Sequence, residues 1–278
     1  MKSFRICMQN IRKWGSNSRI KMCLIMSFLF VYSYISGMWK IIPLVGEKMN
    51  PWIFPFLLCW RFMKIVFMAP IVFIFCDAPF IDSNQSYVML RTSRKKWCFG
   101  QVLYIYAGSV IYAFVLFFST IIINIGHIKW GTSWGKVLGS TVLSTLGINY
   151  TTVKVPAIVI RYYTPAQAMF FSFLLMVLSF IFIGLLIYTV NVITKTNVAG
   201  TIIAGFFVIL TAVVDGNQRL IWFSPISWNS LNNIDVAGMT ANPSIGYVLG
   251  MYVLLIAVLT FLAVFFGRKQ EIIVRNEH

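Results

Sequence analysis

Six runs of apolar residues, most of them about as long as a membrane-spanning helix, constrain this chain more than anything else in its sequence. They lie at about 22–39, 52–76, 102–125, 166–190, 198–214 and 245–266, the fifth being short. A helix needs roughly 20 apolar residues to cross a hydrocarbon core about 30 Å thick. No water reaches backbone N–H and C=O groups in that core, so a run of this kind must satisfy them within its own helix. Hydrophobic residues make up 59% of the chain and charged residues 11%, where a soluble domain carries about a quarter charged. The expected fold class is therefore an all-α membrane protein of about six transmembrane helices. Residues 1–21 read as an N-terminal amphipathic interfacial segment, 22–267 as one transmembrane domain and 268–278 as a tail.

The formal net charge is +16. Its placement points to membrane lipid and away from nucleic acid, because most Lys and Arg sit in short segments beside apolar runs, where cations meet anionic headgroups and set topology. With the N-terminus inside, Lys2, Arg5, Arg12, Lys13, Arg19, Lys21, Arg91, Arg94, Lys95, Lys96, Lys195, Arg268, Lys269 and Arg275 are cytoplasmic. Lys40, Lys48, Lys129, Lys136, Lys154, Arg161 and Arg219 fall outside, half as many, so both termini are expected in the cytoplasm. The two longest connecting stretches, about 126–165 and 215–244, are then external, and Trp52, Trp130, Trp134, Trp222 and Trp228 fall near the outer boundaries.

In Met1 to Trp14, Phe4, Cys7, Met8, Ile11 and Trp14 share one helical face and Lys2, Arg5, Arg12 and Lys13 the other. That pattern suits a helix lying in the headgroup layer; no small-residue cleavage site follows the first apolar run, so it does not read as a signal peptide. The five cysteines contain no CxxC pair and the two histidines, His127 and His278, stand alone, so neither a disulfide framework nor a metal or haem cofactor is expected. Gly131 to Val137 resembles a phosphate loop superficially, but it is one residue short and no Ser or Thr follows Lys136. None of the seven acids falls in the middle of an apolar run, which argues against a proton-coupled carrier and against a membrane-bound enzyme.

Arg61 and Lys64 are the exceptional charges, three residues apart within the second run and so on one helical face. If that helix begins near Trp52, Arg61 lies roughly 14 Å along it at 1.5 Å per residue, where a cation costs about 2.5–3.5 kcal/mol on insertion scales. Acids are lacking nearby, so no internal salt bridge is expected. Two readings stand side by side: the pair lines a translocation path, or Pro51 to Pro55 is an interfacial or re-entrant segment and the span begins near Arg61. Small-residue pairs Ser109/Ala113, Gly200/Ala204 and Gly246/Gly250 allow close helix approach, within one subunit or between two.

The first cytoplasmic loop, 77–97, holds Pro79 to stop the second span and Asp82 with Gln85 at capping-box spacing. These would start a short helix, with Ser93 available to cap the next one; the alternative is an ordinary basic loop obeying the charge rule. The Cys-Asp-Ala-Pro-Phe ending of the second run, the Leu-Arg-Thr-Ser-Arg-Lys-Lys-Trp that follows, Gly100-Gln101, and Trp222-Phe-Ser-Pro-Ile-Ser-Trp228 before the sixth run together resemble the permease subunits of type-2 ABC exporters, the small six-helix type of Gram-positive bacteria. The resemblance implies a plasma-membrane permease that pairs with a second permease chain, identical or related, and docks a separate ABC ATPase subunit. The chain itself would then hydrolyse no ATP. The segment from Ser83 to Thr92 would be the coupling helix, with Asp82 as its cap and Tyr87, Arg91 and Arg94 as docking residues. Arg61 and Lys64 would be candidate pathway residues, and peptide, lipid-linked or drug-like amphiphiles the suitable substrates. The competing reading is a non-transporting immunity or sensor subunit that binds a partner in the bilayer.

Overall fold

A computed structural model describes residues 2–81, 92–143, 150–236 and 238–268. Among these the regular structure is helical, relieved only by two single bridges, Met49 with Ile128 and Asp235 with Ser244. Seven helices organise the molecule: α1 (Lys2–Arg12), α2 (Ser18–Ser36), α3 (Arg61–Phe75), α4 (Arg94–Asn124), α5 (Pro165–Thr194), α6 (Ala199–Val214) and α7 (Ile245–Gly267). The helices of α2, α4, α5 and α7 are long and apolar enough to cross a membrane. At 1.5 Å per residue, the 15 residues of α3 and the 16 of α6 reach only about 22–24 Å.

Local chemistry sets the boundaries. Asn17 caps α2 by accepting from the backbone of Arg19 and Ile20. Thr164 and Gln167 form a complete capping box at the start of α5, with Pro165 at its first position, where a missing N–H costs nothing. Ser244 accepts from Tyr247 N to begin α7. Ser93 takes the N-cap position of α4, but its side chain makes no capping bond. The expected cap, Asp82, lies outside the described residues, as do Tyr87 and Arg91.

The second apolar run does not form one helix. Residues 52–60 fold into turns and a short 3-10 segment, Phe54–Phe56, and the α-helix begins only at Arg61. Pro55 and the aromatic crowding explain this. Phe54, Phe56, Leu57 and Leu58 are buried, and Phe54 packs on Phe117 of α4 and Phe173 of α5 at ring separations of 5.3 and 6.2 Å. Both partners lie about 10 Å inside the ends of their helices, so the segment is folded into the bundle. A second such segment, about 222–233, sits between α6 and α7 with Trp228 1% exposed. Non-helical backbone is tolerated at membrane depth only when protein buries it in this way.

The helices bring the loops together at two ends. At one, α1 lies on α4: Ser3 Oγ donates to Lys96 O (2.8 Å), Asn10 Nδ2 to Gln101 Oε1 (3.0 Å) and Trp14 Nε1 to Tyr104 Oη (2.8 Å). Gly100 permits the approach, since a Cβ there would stand 2.9 Å from Ile6 Cβ. The face of α1 buried by protein is Ile6, Cys7, Asn10 and Trp14, whereas Phe4 is 60% exposed. The apolar face expected from the sequence is therefore divided between the bundle and the outer surface. Buried Asn191 ties the same end together, donating to Ala78 O (2.6 Å) and accepting from Gly200 N (2.7 Å). At the other end four indoles bond backbone carbonyls: Trp52 to Gly131, Trp134 to Tyr163, Trp222 to Ala241 and Trp228 to Ile221.

Between the ends the bundle is closed by buried hydroxyls. Tyr112 of α4 donates to Phe67 O (3.1 Å), one turn before Pro70 in α3, and pairs with Ser27 of α2 at 2.9 Å. Ser109, Ala113, Gly200 and Ala204 are buried inside the subunit, while Gly246 and Gly250 face open space. Two of the small-residue pairs thus serve packing within the chain.

Candidate functional site

Among the described residues, the charged side chain most deeply buried is Lys64, 1% exposed in the first turn of α3. Its ammonium lies 2.6 Å from Asp215 Oδ2 and donates to Ser227 O at 3.1 Å. Asp215 closes the C-terminal end of α6, and its side chain is 8% exposed. The other carboxylate oxygen accepts from Asn233 Nδ2 at 3.0 Å, and Asn233 also donates to Ser227 O at 2.9 Å. The cluster joins α3, α6 and the folded-in 222–233 segment through one cation, one anion and a shared carbonyl.

This arrangement corrects the expectation that Lys64 has no acidic neighbour. Asp215 is 151 positions away in sequence, at the far end of another apolar run, and the antiparallel packing of α3 against α6 brings it alongside. The sequence held one usable signal: the outer segments of the expected topology contain three acids, Glu47, Asp215 and Asp235. A buried ion pair is sound only if its remaining hydrogen-bonding capacity is met, and Ser227 O and Asn233 meet it here. Arg61 behaves differently despite its spacing. It is exposed, and its guanidinium approaches Ala212 O at 3.5 Å. The helix starts at Arg61, as one sequence alternative has it, but that alternative also leaves both cations at the outer surface, and here only Arg61 is exposed while Lys64 is buried.

Around the cluster the 222–233 segment is closely tied. Tyr252 of α7 donates to Pro225 O and pairs with Ser179 of α5 at 2.7 Å. Trp228 stacks edge-on to Tyr252 at 5.4 Å, and Ser230 Oγ approaches Cys59 Sγ at 3.6 Å, linking this segment to the other folded-in stretch. Pro225, Ser227 and Trp228 of the Ser-Pro-x-Ser-Trp stretch therefore each have a packing or bonding role.

At the opposite end, Arg94 is the first residue of α4 and exposed. Separately, Arg19 and Asp77, just past α3, make a two-pronged contact with each other. These side chains, with Asn10, Lys13, Tyr104 and Asn197, line a polar cavity of about 370 Å³. Partial burial lowers the pKa of Lys13. Lys136, from the stretch resembling a phosphate loop, pairs with Glu47 at 2.7 Å and holds that carboxyl below its usual range. Comparison with protein-family profiles, with curated proteins and with solved structures finds no match to this chain.

Proposed function

We propose that this chain is the membrane-spanning permease subunit of an ATP-driven exporter of the type-2 ABC kind, moving an amphiphilic substrate across the plasma membrane. A separate ATPase subunit would supply the energy and a second permease chain, identical or related, the other half of the pathway. The observation that carries the reading is the pairing of two short helices, α3 and α6, with two folded-in segments that fill the remaining bilayer depth. Counted this way, α2 to α7 are six spans, and α1 is an interfacial elbow bound to the base of α4. Helix α3 ends and α4 begins at the same end as α1, where a coupling element would meet a cytoplasmic ATPase. Helix α1 and the C-terminal end of α7 meet that side, in keeping with the excess of Lys and Arg expected there from the sequence.

Lys64 belongs in this scheme as a latch. Paired with Asp215, it fastens α3 and α6 to the 222–233 segment, and opening a path beside these helices would require the pair to separate or hydrate. Purification of the full chain from its native membrane in mild detergent tests the reading. A polypeptide with Walker motifs should copurify near equal stoichiometry and hydrolyse ATP. Repeated recovery of the chain without such a partner would overturn the exporter reading and favour an immunity or sensor subunit.

A further inference from the structure

A groove of about 420 Å³ runs between α1 and α4 and is open along one side. Phe4 and Cys7 of α1 and Leu103, Tyr106, Ala107 and Val110 of α4 form its walls, which are almost wholly apolar. The α4 residues recur at intervals of three, four and seven, so they make one stripe along the helix. At 1.5 Å per residue that stripe extends about 10 Å. Neither Phe4 nor Met8 is covered by the bundle, at 60% and 37% exposed.

The groove itself is lined by no charged residue, and the cations nearest to it in the sequence pattern lie on the edge of α1 next to Met8. Helix α1 has no acid in its sequence. Arg5 and Arg12 stand two turns apart on one edge of it, flanking Met8. Both are exposed, and neither enters an ion pair among the described residues. An apolar channel beside two guanidinium groups of this kind calls for a ligand with a hydrocarbon chain and a phosphate. Guanidinium forks hold phosphate by paired, charge-assisted hydrogen bonds, and interfacial helices of this composition favour anionic lipid.

We propose that an anionic phospholipid of the surrounding bilayer is a resident ligand of this site. Its phosphate rests on the Arg5–Arg12 edge, and one acyl chain passes beneath Phe4 and Met8 into the groove along α4. The lipid would fill the space that α1 leaves open against α4 beside its direct contacts. This inference is independent of the exporter reading.

The test uses the full chain in mixed micelles holding equal amounts of phosphatidylglycerol and phosphatidylcholine, followed by native mass spectrometry of the retained lipid. Wild type should retain phosphatidylglycerol over phosphatidylcholine by about tenfold or more, as two cations beside an anionic headgroup imply. Arg5→Gln with Arg12→Gln should bring the two lipids to near parity. Ala107→Phe, which fills the groove and leaves the charges alone, should lower retention of both. Equal retention of the two lipids by wild type would overturn the proposal, as would a phosphatidylglycerol preference that survives the arginine substitutions. A change of oligomeric mass in Ala107→Phe with lipid retention intact would assign the groove to a second copy of the chain instead. The arginine positions are exposed, so that variant decides the matter even if Ala107→Phe fails to fold.

Discussion

Lys64 and Asp215 are each other's main compensation. Removing one leaves a buried charge unmatched, at a cost of about 3–5 kcal/mol, whereas replacing both with apolar residues of similar size is often neutral. Asp215→Asn should therefore lower the thermal stability of the detergent-purified chain sharply, and Lys64→Met combined with Asp215→Leu should recover most of the loss. Equal melting of wild type and Asp215→Asn would show that the pair does not hold the fold. Arg61→Gln, at an exposed position, should shift melting little. The sequence marked Lys64 as exceptional from its place inside an apolar run, because a cation there must find a partner. It could not name the partner, since Asp215 sits at the edge of a different run and only the packing of α3 on α6 brings the two together. Arg61 looked equivalent to Lys64 by spacing alone; a difference of about 60° around the helix leaves one exposed and the other buried.

Among the elements, the N-terminal helix is the easiest to read from the sequence and the second apolar run the hardest. Phe4, Cys7, Met8 and Trp14 on one face announce an amphipathic α1, but which of them meet protein depends on Gly100, whose missing side chain lets Ile6 and Ser3 settle on α4. Gly100→Leu should displace α1 and expose Cys7, now 4% exposed. Faster maleimide labelling of Cys7 in a background lacking the other cysteines would report it, and an unchanged rate would show that α1 is held by its hydrogen bonds alone. In the second run, hydropathy cannot separate a helix from apolar chain folded into a bundle, since both bury the same residues. Pro51 and Pro55 were the available sign that the helix starts later, at Arg61. The exporter proposal has its own test between α3 and α4: if an ATPase docks there, charge reversal at Arg91 and Arg94 together should weaken its recovery and ATP turnover while membrane insertion persists. One exposed ion pair is worth under about 1 kcal/mol, so Arg91→Ala alone should be mild. Unchanged recovery in the double reversal would move the docking element elsewhere.

For the molecule as a whole, the grouping of loops at two ends predicts a labelling pattern. In a cysteine-free background, Lys129→Cys and Met239→Cys should react with an impermeant maleimide from outside intact cells, and Ser16→Cys and Asn197→Cys only after permeabilisation. The reverse pattern would invert the topology that the cation distribution implies. The two ends are also fastened differently. One is stitched by indole N–H groups to loop carbonyls and by the Lys64 cluster; the other is held by buried Asn191, by the hydrogen bonds of α1 to α4 and by Arg19 with Asp77 beside a polar cavity. Helix α3 runs between them over about 22 Å, fastened at its start by the Lys64 cluster and just past its end by Ala78 O, which accepts from buried Asn191. A tilt of α3 would therefore have to break a buried polar contact at one end or the other, so its position is set by discrete bonds and not by a graded swing.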